Sequence, residues 1–170
     1  FFLFPFSFFL FPFYQHTHTA TGQAACSECD AGKSQISAGQ TTCGACVTGK
    51  YQNENSAILC KSCVAGKYQP DTLSVGCDDC QKGQYQNQIG QNACKDCEKG
   101  KTGSSVALTE CALCNAGQYQ DRLTATECKD CAKGQYADTT GQQSCKLCGA
   151  GKFQSGTKGQ LFYFFKLHPH

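Results

Sequence analysis

Large apolar residues are concentrated at the two ends of the chain, and the segment between them is polar. The first 13 residues, FFLFPFSFFLFPF, hold eight of the 12 phenylalanines, and the last ten residues begin with LFYFF. Between Ala20 and Gln160 there are only 13 valine, isoleucine and leucine residues, with no methionine or tryptophan. No stretch of ten or more residues in this middle segment has an apolar stripe of helical period. The pattern therefore predicts short, irregular β-hairpins.

The middle segment, residues 20–160, is a strict repeat of 17 residues that starts with a Cys-x-x-Cys pair. We number the repeats 1 to 8 by their first cysteines, which are Cys26, Cys43, Cys60, Cys77, Cys94, Cys111, Cys128 and Cys145. The second cysteines are Cys29, Cys46, Cys63, Cys80, Cys97, Cys114, Cys131 and Cys148. These are all 16 cysteines, and no insertion or deletion interrupts the spacing. The segment is predicted to be an elongated tandem array of small disulfide-rich hairpins.

Two further positions of the repeat are fixed or nearly fixed. A glycine follows every second cysteine by three residues, at Gly32, Gly49, Gly66, Gly83, Gly100, Gly117, Gly134 and Gly151. It predicts a positive φ or a close approach between chain segments. Two residues later stands an aromatic residue, at Tyr51, Tyr68, Tyr85, Tyr119, Tyr136 and Phe153. Its ring is predicted to pack over the disulfide of its own or the adjoining repeat; an exposed tyrosine ladder that binds carbohydrate or peptide is the alternative. Ser34 and Thr102 replace the aromatic residue, which predicts weaker packing in repeats 1 and 5.

The composition excludes several functional classes. So few aliphatic residues cannot offset the entropy of ordering the chain, so the cysteines must crosslink it, which indicates the secretory pathway and an extracellular or cell-surface location. The net charge of +2, with mixed signs, argues against nucleic acid. No catalytic constellation, cofactor motif or metal site is recognisable, so we predict no enzyme and no cofactor. The acidic doublet Asp78-Asp79 has too few ligands for calcium and is interpreted as a solvated turn.

Several cysteine pairings are compatible with the sequence. Bonds within each Cys-x-x-Cys pair are typical of redox proteins, whose βαβ pattern is missing here. A crossed scheme would double the period to 34, and we find no alternation at that period. Translational symmetry favours a bond from each second cysteine to the next first cysteine, while zinc binding by neighbouring pairs stays an alternative. The favoured disulfides are Cys29–Cys43, Cys46–Cys60, Cys63–Cys77, Cys80–Cys94, Cys97–Cys111, Cys114–Cys128 and Cys131–Cys145. They leave over Cys26 and Cys148.

The segments CVAGKYQPDTLSVGC and CNAGQYQDRLTATEC resemble the C-x2-G-x-[YF]-x7-C module of extracellular cysteine-rich receptor regions. Tumour-necrosis-factor receptors and ephrin-receptor-like repeats carry this module, and the regular spacing is most similar to the latter. The resemblance covers residues 22 to about 159. It implies the same 14-residue disulfide loop, an elongated shape and an extracellular setting, but no particular ligand.

The two aromatic ends do not fit the repeat. Residues 1–19 are interpreted as a damaged signal peptide or non-native sequence, and residues 161–170 as a non-native tail. Pro12 and Phe162 stand where partners 14 residues from Cys26 and Cys148 would be expected. We therefore predict that the chain is an excerpt of a longer repeat protein. The histidines at 16, 18, 168 and 170 are interpreted as flexible terminal residues.

These observations favour a non-enzymatic extracellular repeat region that acts as a structural spacer or as a protein-interaction or adhesion module. The ligand-binding ectodomain of a cell-surface receptor is one alternative, and a zinc-binding repeat protein is another. The expected partner is an extracellular protein or glycan. Neither nucleic acid nor membrane insertion by the repeats is expected.

Overall fold

The computed structural model describes residue 22 and residues 25–156, and in this part the chain folds into antiparallel hairpins with no helix. The predicted disulfide-rich array of short hairpins is thus confirmed. The segments 1–19 and 161–170, and the predictions made for them, lie outside the described residues. The strands, each of two residues, are β1 (Lys33–Ser34), β2 (Gly44–Ala45), β3 (Lys50–Tyr51), β4 (Lys61–Ser62), β5 (Lys67–Tyr68), β6 (Asp78–Asp79), β7 (Gln84–Tyr85), β8 (Lys95–Asp96), β9 (Lys101–Thr102), β10 (Ala112–Leu113), β11 (Gln118–Tyr119), β12 (Lys129–Asp130), β13 (Gln135–Tyr136) and β14 (Lys146–Leu147).

Each hairpin joins two consecutive repeats. Its first strand follows the glycine of one repeat, and its second strand lies between the two cysteines of the next. In the hairpin of β7 and β8, for example, Gln84 is opposite Asp96 and Tyr85 is opposite Lys95. The other pairs are β1–β2, β3–β4, β5–β6, β9–β10, β11–β12 and β13–β14. Because so short a hairpin is not stable alone, the fold depends on the crosslinks and on contacts between repeats.

A disulfide lies beside every hairpin and connects the second cysteine of one repeat to the first cysteine of the next. The seven bonds are Cys29–Cys43, Cys46–Cys60, Cys63–Cys77, Cys80–Cys94, Cys97–Cys111, Cys114–Cys128 and Cys131–Cys145. Their second cysteines are at most 1% exposed, and together they form most of the core. Cys26 and Cys148, both half-buried, are the two cysteines outside this set. The interior is therefore a file of sulfur atoms instead of an aliphatic core.

Consecutive repeats are joined by backbone hydrogen bonds that recur every 17 residues. The Gly66 N–H donates to the Gln86 carbonyl at 2.7 Å, and the Gly90 N–H donates to the Cys63 carbonyl at 2.7 Å. A third bond of this kind starts at the residue after the aromatic position. These bonds satisfy backbone groups of loops that would otherwise have to bond to water. They order each repeat against the next.

The invariant glycine brings a third repeat into contact. Gly66, in repeat 3, has a φ of +85°, and a Cβ atom built on it would lie 2.2 Å from the carbonyl oxygen of Ala107, in repeat 5. Equivalent approaches of 2.0–2.2 Å to backbone oxygens occur at Gly32, Gly49, Gly83 and Gly100. The glycine thus has both properties that the sequence suggested, a positive φ and a close approach. Each repeat contacts the next one and the next but one.

A second position with positive φ recurs seven residues after this glycine. It is occupied by Gly22, Gly39, Ser56, Leu73, Gly90, Ala107, Thr124 and Gly141. The four residues other than glycine have φ values of 54–62°, a conformation that costs L-residues about 1–2 kcal/mol. The conformation is held because the N–H of this residue bonds to a cysteine carbonyl of the preceding repeat and its own carbonyl faces the glycine of the repeat before that.

Replacing Gly66 by alanine should destabilise the array strongly, since the new Cβ would collide with the carbonyl oxygen of Ala107. We expect a loss of about 3 kcal/mol or more, from the positive φ and the overpacking together. Gly134→Ala is the matched control, because Gly134 has a φ of +77° but nothing within 4 Å of the added Cβ. Its cost should be only about 1–2 kcal/mol. Denaturant unfolding of the oxidised proteins measures both, and equal losses would contradict the close-approach role.

Candidate interaction surface

The aromatic position lies at the edge between the sulfur core and the solvent. Tyr51, Tyr68, Tyr85, Tyr119 and Tyr136 are all half-buried. In the two repeats without an aromatic residue, Ser34 Oγ lies 3.3 Å from Cys60 Sγ and Thr102 Oγ1 lies 3.7 Å from Cys128 Sγ. Side chains at this position therefore sit beside the disulfide of the following repeat. Phe153 belongs to the last repeat and is 82% exposed.

Repeats 1 and 5 fold like the others despite their substitutions. Both form a hairpin and a disulfide, and Thr102 is buried. The expectation of weaker packing at Ser34 and Thr102 is therefore not seen at the level of backbone and burial. A hydroxyl group next to sulfur fills the place that the ring occupies elsewhere.

Lysines of the second strand cover several tyrosines. Lys95 Nζ lies 5.9 Å from the centre of the Tyr85 ring, Lys129 Nζ lies 5.7 Å from that of Tyr119, and Lys146 Nζ lies 5.9 Å from that of Tyr136. These are cation–π distances. The residues of each pair are directly opposite each other in the hairpin. The outer face of these rings is thus occupied by a cation from the same chain.

The same lysines also bond to the residue two positions after the aromatic one, and we call this contact the lysine clamp. Lys95 Nζ donates to Asn87 Oδ1 at 2.9 Å, and Lys129 Nζ donates to Asp121 Oδ1 at 2.6 Å. The other clamps are Lys61 with Asn53 and Lys146 with Asp138. The clamp connects the loop of one repeat to the second strand of its hairpin, across eight residues of chain.

The clamps with a carboxylate shift pKa values. The hydrogen bond from Lys146 lowers the pKa of Asp138 from its usual 3.8, and the same bond raises the pKa of Lys146 from 10.5. The pKa of Asp121 is lowered by its hydrogen bond from Lys129. The stabilisation from each lowered aspartate is present above the unfolded pKa and is lost as pH falls through the folded pKa. That from Lys146 is complete below 10.5 and is lost as pH rises through the folded pKa. Because these groups are exposed, both effects are small.

The glutamine after the aromatic position has a structural role that the sequence did not reveal. Gln86 is 2% exposed; its Nε2 donates to the Ala93 carbonyl at 2.7 Å, and its Oε1 accepts from the Gln88 N–H at 3.1 Å. We call this pair of bonds the glutamine brace. Equivalent braces are formed by Gln35, Gln52, Gln69 and Gln120. The recurrence of glutamine at this position was the available signal, but a polar residue in a polar chain does not by itself indicate burial.

The exposed large side chains outside this framework are the candidate contacts for a partner. They lie in the loops and Cys-x-x-Cys turns: Ile36, Val47, Ile58, Leu59, Val64, Leu73, Val75, Ile89, Val106, Leu113, Leu123 and Leu147. Leu73 and Val47 are neighbours, because the Leu73 N–H bonds to the carbonyl of Cys46. These residues differ in identity from repeat to repeat, whereas the buried cysteines recur in every repeat.

Other kinds of site are not found in the part of the chain that the structure describes. There, no three His, Cys, Asp or Glu side chains are grouped so that they could hold a metal ion. No helix among these residues is long and apolar enough to span a bilayer. The cysteines in disulfides have no thiolate to offer zinc.

Comparison with known families identifies the type of module. Residues 66–109, 100–141 and 122–160 each match the family model described as tyrosine-protein kinase ephrin type A/B receptor-like. Together the matches span residues 66–160, which is more than half of the chain. A search of curated proteins finds no match. Family and disulfides together indicate an extracellular, receptor-like module of a type that is generally non-enzymatic.

Replacing Gln86 by alanine should destabilise the protein by about 1–3 kcal/mol, because two buried backbone groups lose their partner. Gln88→Ala is the matched control: its side chain is exposed, and only its backbone N–H takes part in the brace. We expect this control to change stability by no more than about 0.5 kcal/mol. Thermal or denaturant unfolding of the oxidised chains distinguishes the two. Similar small losses for both variants would refute the brace.

Proposed function

The chain belongs to the family of ephrin type A/B receptor-like cysteine-rich repeats, and on this basis we propose that it is a disulfide-linked spacer of an extracellular protein that also presents its loops to a protein partner. As a spacer, the array sets the distance between the segments on either side of it. As an interaction module, it holds exposed loop residues on a framework that does not vary. No cofactor takes part in either role.

The observation that supports this proposal most is the difference between the inside and the outside of the repeats. Inside, the same cysteine, glycine and backbone bonds recur with a period of 17. Outside, the residue before the second positive-φ position changes from Asn55 to Ile89 to Leu123. A constant framework with variable surface residues is the usual arrangement of repeat proteins that bind partners. Function carried on loops over a rigid scaffold follows the same logic.

A protein is favoured over a glycan as the partner. A glycan would stack on an open aromatic face, but Lys95 already lies over Tyr85, and Lys129 over Tyr119. Exposed aliphatic side chains such as Ile89 and Val106 suit an apolar protein contact instead. The mixed charges of the described residues give no reason to expect a polyanion.

Secretion of the chain into an oxidising medium should yield seven disulfides, each closing a loop of the same length. Peptide mapping without reductant should recover the pairs from Cys29–Cys43 to Cys131–Cys145, with no more than two free thiols per chain in denaturant. A chelator should leave the circular dichroism spectrum unchanged, whereas full reduction should unfold the chain. Many free thiols together with unfolding on chelation would establish the zinc alternative and refute the extracellular proposal.

A spacer should shorten in proportion when a whole repeat is removed. Deletion of residues 94–110 removes one period and brings Cys80 and Cys111 to the separation at which the other cysteines bond. We expect a folded protein with a smaller radius of gyration by small-angle scattering, and a parent value clearly above the ~15 Å of a compact chain of this length. Deletion of residues 94–102, which breaks the period, is the control and should misfold. A parent value near the compact limit would contradict the spacer.

A further inference from the structure

Repeat 5 lacks the side-chain contacts that hold the loops of the other repeats. The brace position is Gly103 and the two clamp positions are Ser104 and Ala112, none of which can form these bonds. Repeats 1, 2, 3, 4 and 6 have a brace, and repeat 7, in which Ala137 replaces the glutamine, has the clamp of Lys146 with Asp138. Among these seven repeats, whose loops the structure describes, repeat 5 is the one with neither contact.

A different and purely apolar contact takes the place of the brace. A Cβ atom built on Gly103 would lie 3.0 Å from Leu108 Cδ1 and 3.1 Å from Cys97 Sγ. The leucine side chain therefore fills the space next to Gly103, and a glutamine side chain could not be placed there without moving it. Leu108 is itself only half-buried. The loop is packed, but no side-chain hydrogen bond fastens it.

The backbone of this loop carries the contacts that connect repeat 5 to the repeats before it. The Ala107 N–H donates to the Cys80 carbonyl at 2.8 Å, and the Ala107 carbonyl faces Gly66. Ala107 does this at a φ of +55°, which is unfavourable for alanine. If residues 103–110 open, the contacts to repeats 3 and 4 are lost together, while the Cys97–Cys111 disulfide keeps the chain connected.

We propose that the loop of residues 103–110 is a built-in point of flexion that opens before any other loop of the array. It separates repeats 1–4, all of them braced, from repeats 6 and 7, which are braced, clamped or both. Opening lets the two parts change their relative direction without breaking a disulfide. The proposal concerns the mechanics of the array and does not depend on which partner the array binds.

Hydrogen exchange of the oxidised protein, followed by mass spectrometry after reductive quench, tests the proposal. The N–H groups of Gly90, Ala107 and Thr124 make the same bond in repeats 4, 5 and 6. Relative to intrinsic rates, we expect residues 103–110 to exchange about ten- to a hundredfold faster than residues 86–93 and 120–127, because two or three hydrogen bonds are missing. Equal protection of the three loops would overturn the proposal.

Two designed variants exclude a cause other than the missing contacts. Ser104→Asp with Ala112→Lys copies the clamp of Asp121 and Lys129 into repeat 5 at two exposed positions. It should slow exchange of residues 103–110 several-fold. The reverse variant, Gln120→Ala with Asp121→Ser and Lys129→Ala, should make residues 120–127 exchange as fast as residues 103–110 do in the parent. If neither variant changes the exchange of its own loop, the missing brace and clamp are not the cause and the proposal fails.

Discussion

A backbone carbonyl oxygen lies about where the Cβ of any residue other than glycine would be, at five successive glycines of the array. At Gly66 the distance from the hypothetical Cβ to the oxygen of Ala107 is 2.2 Å. This oxygen belongs to a loop two repeats further along, whose N–H is bonded to the repeat in between. Three repeats therefore meet at each such glycine. Hairpins of two residues per strand become stable because each is covered by two others, and both coverings require that the glycine side be bare.

The interior differs in kind from that of an ordinary small domain. Its fully buried side chains are cysteine, with glutamine as the largest polar member. The disulfides reduce the entropy of the unfolded chain, by roughly 3 kcal/mol for each loop of about this length in the chain-entropy model. They do not satisfy the polar groups of the loops, and this is the role of Gln86 and its equivalents. The covalent bonds make folding possible, and the buried amides decide how firmly each loop is held.

How far the structure follows from the sequence depends on the type of residue. The glycine at Gly66 recurs without exception, and only a backbone requirement explains so strict a recurrence, so its positive φ could be anticipated. The second positive-φ position could not, because Leu73, Ala107 and Thr124 occupy it as often as glycine does. There the tertiary hydrogen bond overrides the local preference. The brace was equally hidden, since Gln86 is chemically like the exposed glutamines around it. Contact between alternate repeats left no mark on the spacing of the cysteines, which shows one period only.

The contact between alternate repeats has a consequence for cooperativity. A one-dimensional array with nearest-neighbour coupling loses one interface when it is cut, and its end effects reach one unit deep. Here a cut severs the coupling of adjacent units and also two couplings that skip a unit, such as those of Gly66 with Ala107 and Gly83 with Thr124. In the language of the Ising chain, the second-neighbour term lengthens the correlation length and makes domain walls more costly. Order at one repeat is then transmitted past its neighbour, even where that neighbour is itself weakly held.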